Sequence, residues 1–225
     1  MKSYYNDLAQ YKSDELALFT NKLIPDCSKK IIGVTCPNIR KFSKNVDLEF
    51  LNNLPHEYHE EDILHAYMIS NFKLEFDEMI YEVEKFLPYI TNWSVNDSMC
   101  KNIKVFKKNR KKLFDKTIEW MKTNRTYYIR LALLIQMCYL IEDEFIEEIF
   151  NNIKLITNHE YYVDMMIAWL LATMMIKYEN HVITFLKENE LNIFIKRKTV
   201  SKAIESFRIK DNTKEELKEL RKLFK

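Results

Sequence analysis

The chain has 225 residues, of which 47% are hydrophobic and 30% charged, and its formal net charge is +2 at pH 7. It holds one glycine and four prolines. This scarcity argues against a β-rich fold, because the turns of such folds demand glycine and Asn-Gly pairs. It also excludes a phosphate-binding glycine-rich loop and a dinucleotide-binding fingerprint, since each needs several glycines.

The predicted elements are helices almost throughout, because apolar residues recur at helical spacing. In chain order the predicted helices cover residues 3–22, 38–52, 57–71, 75–91, 93–105, 108–123, 126–140, 143–156, 160–178, 180–189, 193–208 and 213–225. Their short connections force neighbouring helices to pack as antiparallel pairs. We therefore predict an all-α fold, a right-handed α-α superhelix of HEAT-like repeats that forms one domain over residues 1–225.

The first polar cluster along the chain is the string HEYHEEDILH at residues 56–65. His56, His59 and His65, with the acidic residues 60–62, match neither the HExxH spacing nor a zinc finger, and no cysteine pair accompanies them. We interpret the string as the exposed start of a surface helix. We expect no metal and no cofactor.

A tryptophan and an aspartate share one face of the predicted helix 93–105. Trp93 and Asp97, in NWSVNDSMCK, are four residues apart, a spacing that points both side chains the same way. Taken alone, a tryptophan in a helical repeat usually belongs to the core, and an aspartate can cap a helix. Ser98 and Cys100 have no nearby histidine that would activate them as nucleophiles.

The spacing of two later residues favours a function for this face. Trp93, Arg130 and Trp169 are 37 and 39 residues apart, close to the ~40–47 residues of HEAT-type units. Equivalent positions of consecutive repeats stack along one concave face, so we expect these three side chains and Asp97 to line one groove. Arg130 is flanked by apolar residues and must either pair with a carboxylate or face this groove.

Basic residues are clustered, although the net charge is small. One cluster lies in residues 101–116, a second in 196–210 and a third in 40–44. Separated basic patches on a curved scaffold suit a polyanion better than a membrane. The residues expected to contact this polyanion are Arg40, Lys41, Lys44, Lys101, Lys104, Lys107, Lys108, Lys111, Lys112, Lys198, Lys202 and Arg208.

The cysteines and the longest apolar run indicate the cellular compartment of the protein. Cys27, Cys36, Cys100 and Cys138 show no CxxC spacing, and no secretory signal precedes them. We therefore expect reduced thiols in an intracellular, cytoplasmic protein. The apolar run 165–176 is too short to span a bilayer, so we predict a buried core helix there.

Three stretches carry a resemblance to a known family. IIGVTCPNIRKFSK (31–44) is similar to a GV-x-x-P-x-x-R-x-x-x-K segment, and NWSVNDSMCK (92–101) to a W-x-x-x-D helix. YYIRLALL and YYVDMMIAWLLA supply a later arginine and tryptophan. In order and spacing these stretches resemble the DNA alkylation repair family of HEAT-like-repeat DNA glycosylases, of the AlkD type. The likeness spans essentially the whole chain and implies duplex DNA with alkylated bases as the partner.

The resemblance also implies roles for single residues. By it, Asp97 is the catalytic carboxylate, and Trp93, Arg130 and Trp169 complete the catalytic site along the DNA-binding cleft. The chain departs from the family pattern at Asp164, because basic residues often stand just before the last tryptophan. That departure implies weaker phosphate binding at this position.

The expected chemistry follows from the charge of the lesion. A 3- or 7-alkylpurine is cationic, so its bond to the sugar breaks without a general acid, and one carboxylate can stabilise the sugar cation and position water. Indole faces favour a cation, and Arg130 can bind a phosphate. We expect no lysine beside Asp97 to act as an amine nucleophile. The prediction is a monomeric, monofunctional glycosylase of base excision repair.

Two alternatives stay open. The chain could be a catalytically silent module that binds distorted or branched DNA, or a protein-interaction scaffold, the commonest use of helical repeats. A carboxylate that faces a polyanion argues against the silent module. The basic clusters argue against the scaffold.

Overall fold

The computed structural model describes residues 3–99 and 103–224. Within these ranges the protein is all-α, as predicted, and its one β feature is an isolated bridge between Lys30 and Tyr58. The α-helices of the described ranges are α1 (Tyr5–Ala9), α2 (Asp14–Leu23), α3 (Cys36–Phe42), α4 (His59–Asn71), α5 (Phe76–Phe86), α6 (Trp93–Ser98), α7 (Lys104–Lys108), α8 (Arg110–Lys122), α9 (Thr126–Tyr139), α10 (Ile146–Lys154), α11 (Tyr161–Met174), α12 (Glu179–Glu188), α13 (Ile193–Glu205) and α14 (Asp211–Leu223).

Three of the predicted helices are interrupted in the structure. The predicted helix 38–52 is α-helical only as far as Phe42, and two short 3-10 helices, Ser43–Asn45 and Leu48–Asn52, follow it. The predicted helix 3–22 is divided into α1 and α2, because Ser13 caps α2 through its hydroxyl, which accepts the N–H of Leu16 at 3.2 Å. The predicted helix 93–105 already ends at Ser98, and α7 follows as a separate short helix.

Contacts between helices divide the chain into two compact units, a first unit of residues 1–109 and a second unit of residues 110–225. In the second unit α9 packs against α11, and α11 against α13. Helices α9 and α11 run parallel. Thr126 at the start of α9 donates to Glu160 just ahead of α11 (2.6 Å), and Thr173 near the end of α11 contacts the sulfur of Met137 near the end of α9 (3.4 Å). These pairs are 34 and 36 residues apart in sequence, as expected for stacked helical repeats.

Helix α4 is the centre of the first unit. All its residues from His59 to Ile69 are buried, and it packs against α3, α5 and α6. Helix α6 runs parallel to α4. Asn92, just ahead of α6, contacts His59 at 3.4 Å, and the hydroxyl of Ser70 donates to the carbonyl of Met99 at 2.7 Å. The first unit therefore repeats the parallel helix pairing of the second.

The interpretation of residues 56–65 as an exposed helix start is wrong, because the three histidines and the acidic residues 60–62 of this string are buried. The carboxylate of Glu60 accepts the backbone N–H groups of Ile32 and Gly33, both at 2.8 Å. These N–H groups lie in a connecting segment with no helical partner for them, and the buried carboxylate satisfies them. Ile32 and Gly33 are 28 and 27 residues away from Glu60 in sequence, so the local sequence pattern could not predict these contacts.

Two further buried pairs complete this polar core. Asp62 pairs with the ammonium group of Lys29 at 2.5 Å. Burial raises the pKa of Asp62 to about 7, although the charge of Lys29 opposes that shift. Nε2 of His56 and Nδ1 of His65 share a hydrogen bond at 2.8 Å. Burial lowers the pKa values of both histidines, so both rings are neutral near pH 7.

Gly33 is expected to tolerate no side chain. Its φ of +87° favours glycine, and a Cβ there would lie 2.1 Å from the carbonyl oxygen of Ser13 and 2.8 Å from the nitrogen of Ala17. We expect Gly33→Ala to lower the free energy of unfolding by at least about 2 kcal/mol, measured by urea denaturation with circular dichroism. Thr35→Ala, an exposed position in the same segment, is the control. A Gly33→Ala variant as stable as this control would contradict the packing described.

Candidate active site

Helix α6 presents Trp93 and Asp97 on one side. Asn92 starts the helix by accepting the N–H of Val95 on its side-chain oxygen at 3.1 Å. Val95 and Asn96 point into the fold and are buried. Trp93 and Asp97, one helical turn apart, are half-buried. A carboxylate and an indole therefore lie next to each other on a partly accessible helix face.

The ring of Trp93 is held in place by helix α2. Its indole N–H donates to the carbonyl oxygen of Leu23, the last residue of α2, at 3.3 Å. The other end of α2 is fixed to the Glu60-bound segment, because the N–H of Ser13 donates to the carbonyl of Gly33 at 2.9 Å. The buried polar core of the first unit thus helps to orient the indole.

A cationic cavity of about 520 Å³ lies at the C-terminal end of α6, within the first unit. Arg40, Lys104 and Lys108, three of the residues expected to contact a polyanion, line it together with Ser98. The guanidinium carbon of Arg40 lies 4.7 Å from the ring centroid of Tyr67, a cation–π contact that fixes its direction. Burial raises the pKa of Tyr67, so its phenol is neutral. The cavity is therefore suited to an anionic group.

The remaining basic residues predicted to bind a polyanion lie elsewhere. Outside the lining of this cavity the exposed ones are Lys41, Lys44 and Lys107 in the first unit, Lys111 and Lys112 on α8, and Arg208 after α13. Lys101 lies outside the described residues. Polyanion binding at these positions stays a prediction.

Arg130 is braced inside the second unit. Only 5% of the residue is exposed, and Nη1 of its guanidinium donates to the carbonyl oxygen of Tyr162 at 2.8 Å. The bond joins α9 to the first turn of α11. This hydrogen bond fixes the orientation of the guanidinium group, so the group is directed towards neighbouring atoms and does not move freely in solvent.

Trp169 lies on the accessible side of α11. It is 37% exposed, and the ammonium group of Lys202 lies 5.8 Å from its ring centroid. Lys202 and Arg208 line a cavity of about 280 Å³ beside this indole. Lys198, on the same helix as Lys202, lies over the ring of Phe194 at 5.6 Å. The second unit thus places two of the predicted basic residues around an accessible indole.

The four predicted catalytic residues are divided between the two units. Trp93 and Asp97 belong to the first unit, and Arg130 and Trp169 belong to the second. Each pair lies on the helices that the sequence spacing assigned to it. The common groove of all four stays a prediction.

Comparison with known proteins places the chain in a family. Residues 6–207 match the model of the family described as DNA alkylation repair enzyme. The chain belongs to the DNA alkylation repair enzyme family. No curated protein matches it. The family match runs through both units and includes all four predicted catalytic residues, and it supports a role in DNA alkylation repair.

Asp164 is the position at which this family member departs from the family pattern, and its side chain is directed into the fold. Asp164 is buried. Its carboxylate contacts Nδ1 of His159 at 3.0 Å and accepts the side-chain N–H of Asn192, just ahead of α13, at 3.2 Å. The carboxylate therefore links α11 to the start of the next repeat and is not presented on the surface.

Sequence reasoning missed most of the residues that line the cationic cavity, among them Lys73 and Tyr67. Lys73 lines it from the connection between α4 and α5, and Tyr67 from α4. Lys73 belongs to none of the basic clusters, so composition could not mark it. The one feature of the sequence that could have pointed to Tyr67 as a lining residue is its hydroxyl group within the apolar stretch AYMI of a helix.

Residues 3–99 and 103–224 contain neither a metal site nor a membrane span. In these ranges no group of three or more histidine, cysteine, aspartate or glutamate side chains is arranged to hold a metal ion. None of their helices combines the length and the apolar character needed to cross a membrane.

Proposed function

We propose that this DNA alkylation repair enzyme is a monofunctional DNA glycosylase that releases cationic alkylated purines, of the 3-methyladenine and 7-methylguanine type, from duplex DNA. The observation that carries the proposal is helix α6, which places Trp93 and Asp97 one turn apart on an accessible face. Both residues lie within the range that matches the family.

In this proposal Asp97 supplies the charge that the reaction needs. The positively charged base leaves as a neutral purine, so no acid has to protonate it. The sugar becomes cationic in the transition state, and a fixed carboxylate stabilises that charge. The same carboxylate orients the water molecule that adds to the sugar carbon and accepts its proton. The products are a free base and an abasic strand, with no strand cleavage.

The indoles and the guanidinium hold the substrate in this scheme. The face of Trp93, fixed by the carbonyl of Leu23, and the accessible ring of Trp169 favour a cationic base or sugar by cation–π attraction. Arg130, whose guanidinium is held by the carbonyl of Tyr162, is assigned to a backbone phosphate. These contacts place the reacting bond beside Asp97.

DNA binding is assigned to the cationic cavity of the first unit and to the predicted basic residues around it. Phosphate contacts release counterions, so the affinity for duplex DNA should fall steeply with salt. Changing Arg40, Lys104 and Lys108 together to glutamine should flatten the slope of log K against log salt by up to ~0.9 for each phosphate that the variant no longer binds. The measurement is fluorescence anisotropy of labelled duplex DNA from low to physiological salt.

A matched triple variant controls for the change in net charge. Lys187, Lys218 and Lys222 each have a glutamate partner within 4 Å on the protein surface, and their replacement by glutamine removes the same three charges. This control should keep the wild-type slope. Equal slopes in both triple variants would show that the cavity does not bind phosphate.

The activity itself is tested by release of free base. The protein is incubated in excess with a duplex that carries one 7-methylguanine, and free base and abasic sites are measured over time. Release above the spontaneous rate supports the proposal. Tight DNA binding without release would move the chain to the alternative of a silent DNA-binding module.

A further inference from the structure

Helix α6, which carries Trp93 and Asp97, is too short to be stable by itself. It spans six residues, and isolated helices shorter than ~12–15 residues are marginal in water. Its position therefore depends on contacts with neighbouring elements. It packs against the buried helix α4, so the residues that fasten α6 to α4 determine where the indole and the carboxylate point.

Two hydrogen bonds fasten α6 to α4, one near each end. Beyond the end of α6, the hydroxyl of Ser70 donates to the carbonyl oxygen of Met99 at 2.7 Å. Just ahead of its start, Nδ2 of Asn92 lies 3.4 Å from Nδ1 of His59, the first residue of α4. His59 and Asn92 are only 3% and 4% exposed, so losing one partner of this second bond would leave a buried polar group unpaired.

The surroundings of Asn92 determine which nitrogen of the His59 ring carries the proton. The side-chain oxygen of Asn92 accepts the N–H of Val95, so the atom that faces His59 is the amide nitrogen, which can only donate. Nδ1 of His59 must therefore accept, and the neutral ring carries its proton on Nε2. Burial lowers the pKa of His59 to about 4, so this form is present at neutral pH.

Asn92 also contacts the stretch of chain that holds the ring of Trp93. Its amide nitrogen lies 3.9 Å from the sulfur of Cys27. The indole N–H of Trp93 donates to the carbonyl of Leu23, a few residues earlier in the same stretch. A displacement of Asn92 would therefore move the first turn of α6 relative to the carbonyl that orients the indole.

We propose that His59 is a positioning residue for the proposed reaction, because its ring accepts the amide of Asn92 and so sets the position of Trp93 and Asp97. The inference rests on the proposed glycosylase function. A misplacement of ~1 Å can slow a reaction by roughly 10²-fold. Phosphates are assigned to the cationic cavity, and His59 is not among the described residues that line it. Loss of the His59–Asn92 bond should thus slow base release without weakening DNA binding.

The test compares four variants with the wild-type protein. His59→Phe keeps a ring but removes the acceptor, and Asn92→Ser removes the donor but keeps a good helix cap. His59→Asn restores an acceptor, because its amide oxygen lies close to the position of Nδ1. His65→Phe controls for lost stability, since it removes a buried histidine of the same helix that stacks on Phe86 of α5.

Two kinds of measurement are made below the melting temperature of the least stable variant. Single-turnover release of 7-methylguanine and affinity for the duplex separate the rate from binding. Solvent exchange of the indole N–H of Trp93, followed by NMR, reports its bond to Leu23 and requires no catalysis. The indoles of Trp120 and Trp169 give reference signals in the same spectrum.

We expect His59→Phe and Asn92→Ser each to slow release by about 10- to 100-fold. Both should keep the duplex affinity and speed the exchange of the Trp93 N–H. His59→Asn and His65→Phe should match the wild-type protein in release, affinity and exchange. Wild-type release and exchange in His59→Phe, or an equal loss in His59→Asn, would overturn the inference.

Failure of this inference and failure of the proposed function give different results. Release by the wild-type protein with no effect in His59→Phe would retain the glycosylase and reject the positioning role. A wild-type protein that releases no base would reject the glycosylase, and the exchange rates would still decide the role of His59. Faster exchange in His59→Phe but not in His59→Asn would then retain the positioning of α6, and equal exchange in both would reject it.

Discussion

Replacing Asp97 by asparagine is expected to slow the release of 7-methylguanine by roughly 10²–10³-fold, the usual loss when one transition-state stabilising group is removed. The amide keeps the shape of the side chain on α6 but carries no charge to face the developing sugar cation. DNA affinity should hold or rise, because a carboxylate close to phosphates opposes binding. Single-turnover rates and affinities, measured on the same duplex, separate the two effects.

The matched control is Asp77→Asn, which removes an exposed carboxylate of α5 in the same unit. It should excise at the wild-type rate. Full activity in Asp97→Asn would reject the assigned carboxylate. A loss of DNA binding equal to the loss of rate would also contradict the account, because it would make Asp97 a contributor to ground-state binding.

Acidification below pH 6.5 is expected to destabilise the first unit strongly. Burial, with a further contribution from the charge of Lys29, lowers the pKa of His56 to about 3 and that of His59 to about 4. Burial also lowers the pKa of His65 well below its ordinary value. Unfolding returns all three to about 6.5, so between about pH 4 and 6.5 the unfolded chain binds three more protons at these rings.

One buried carboxyl group opposes this effect. Burial raises the pKa of Asp62 from 3.8 to about 7, so over the same range the folded chain binds one more proton there. The net difference of two protons makes the free energy of unfolding fall by about 2.7 kcal/mol for each pH unit below 6. Stability contributed by the neutral histidines is thus present near pH 7 and lost as the pH falls.

Urea denaturation at several pH values between 7.5 and 4.5 measures this slope. The exposed His181 offers a control, because His181→Gln should reproduce the wild-type pH dependence. A free energy of unfolding that stays constant from pH 7 to pH 5 would show that the three buried rings do not remain neutral in the folded protein.

Helix periodicity predicted most of the fold because it depends on residues close in sequence. The apolar spacing of residues 126–140 and 160–178 predicted α9 and α11 to within a few residues. The prediction of an exposed helix start at residues 56–65 was wrong, because it relied on three acidic residues at a helix start, which are typical of an exposed terminus. Their buried partners include Gly33 and Lys29, which lie 27 and 33 residues away in sequence. Long-range contacts of this kind leave no local pattern.

The candidate site was predictable to the extent that helical geometry determines it. The four-residue spacing of Trp93 and Asp97 placed both on one face of α6, and clustering of charge pointed to Lys104 and Lys108. The sequence did not predict that Arg130 would be almost buried against a backbone carbonyl. That arrangement depends on how α9 stacks on α11, which only the packed repeats reveal.

In the proposed mechanism one carboxylate suffices, because the leaving base is already cationic. Two duplexes that differ only in one base, the cationic 7-methylguanine or the neutral lesion hypoxanthine, test this mechanism. We expect free base and an uncleaved abasic strand from the first duplex and no release from the second. Equal release from both, or cleavage of the strand without added base, would contradict it.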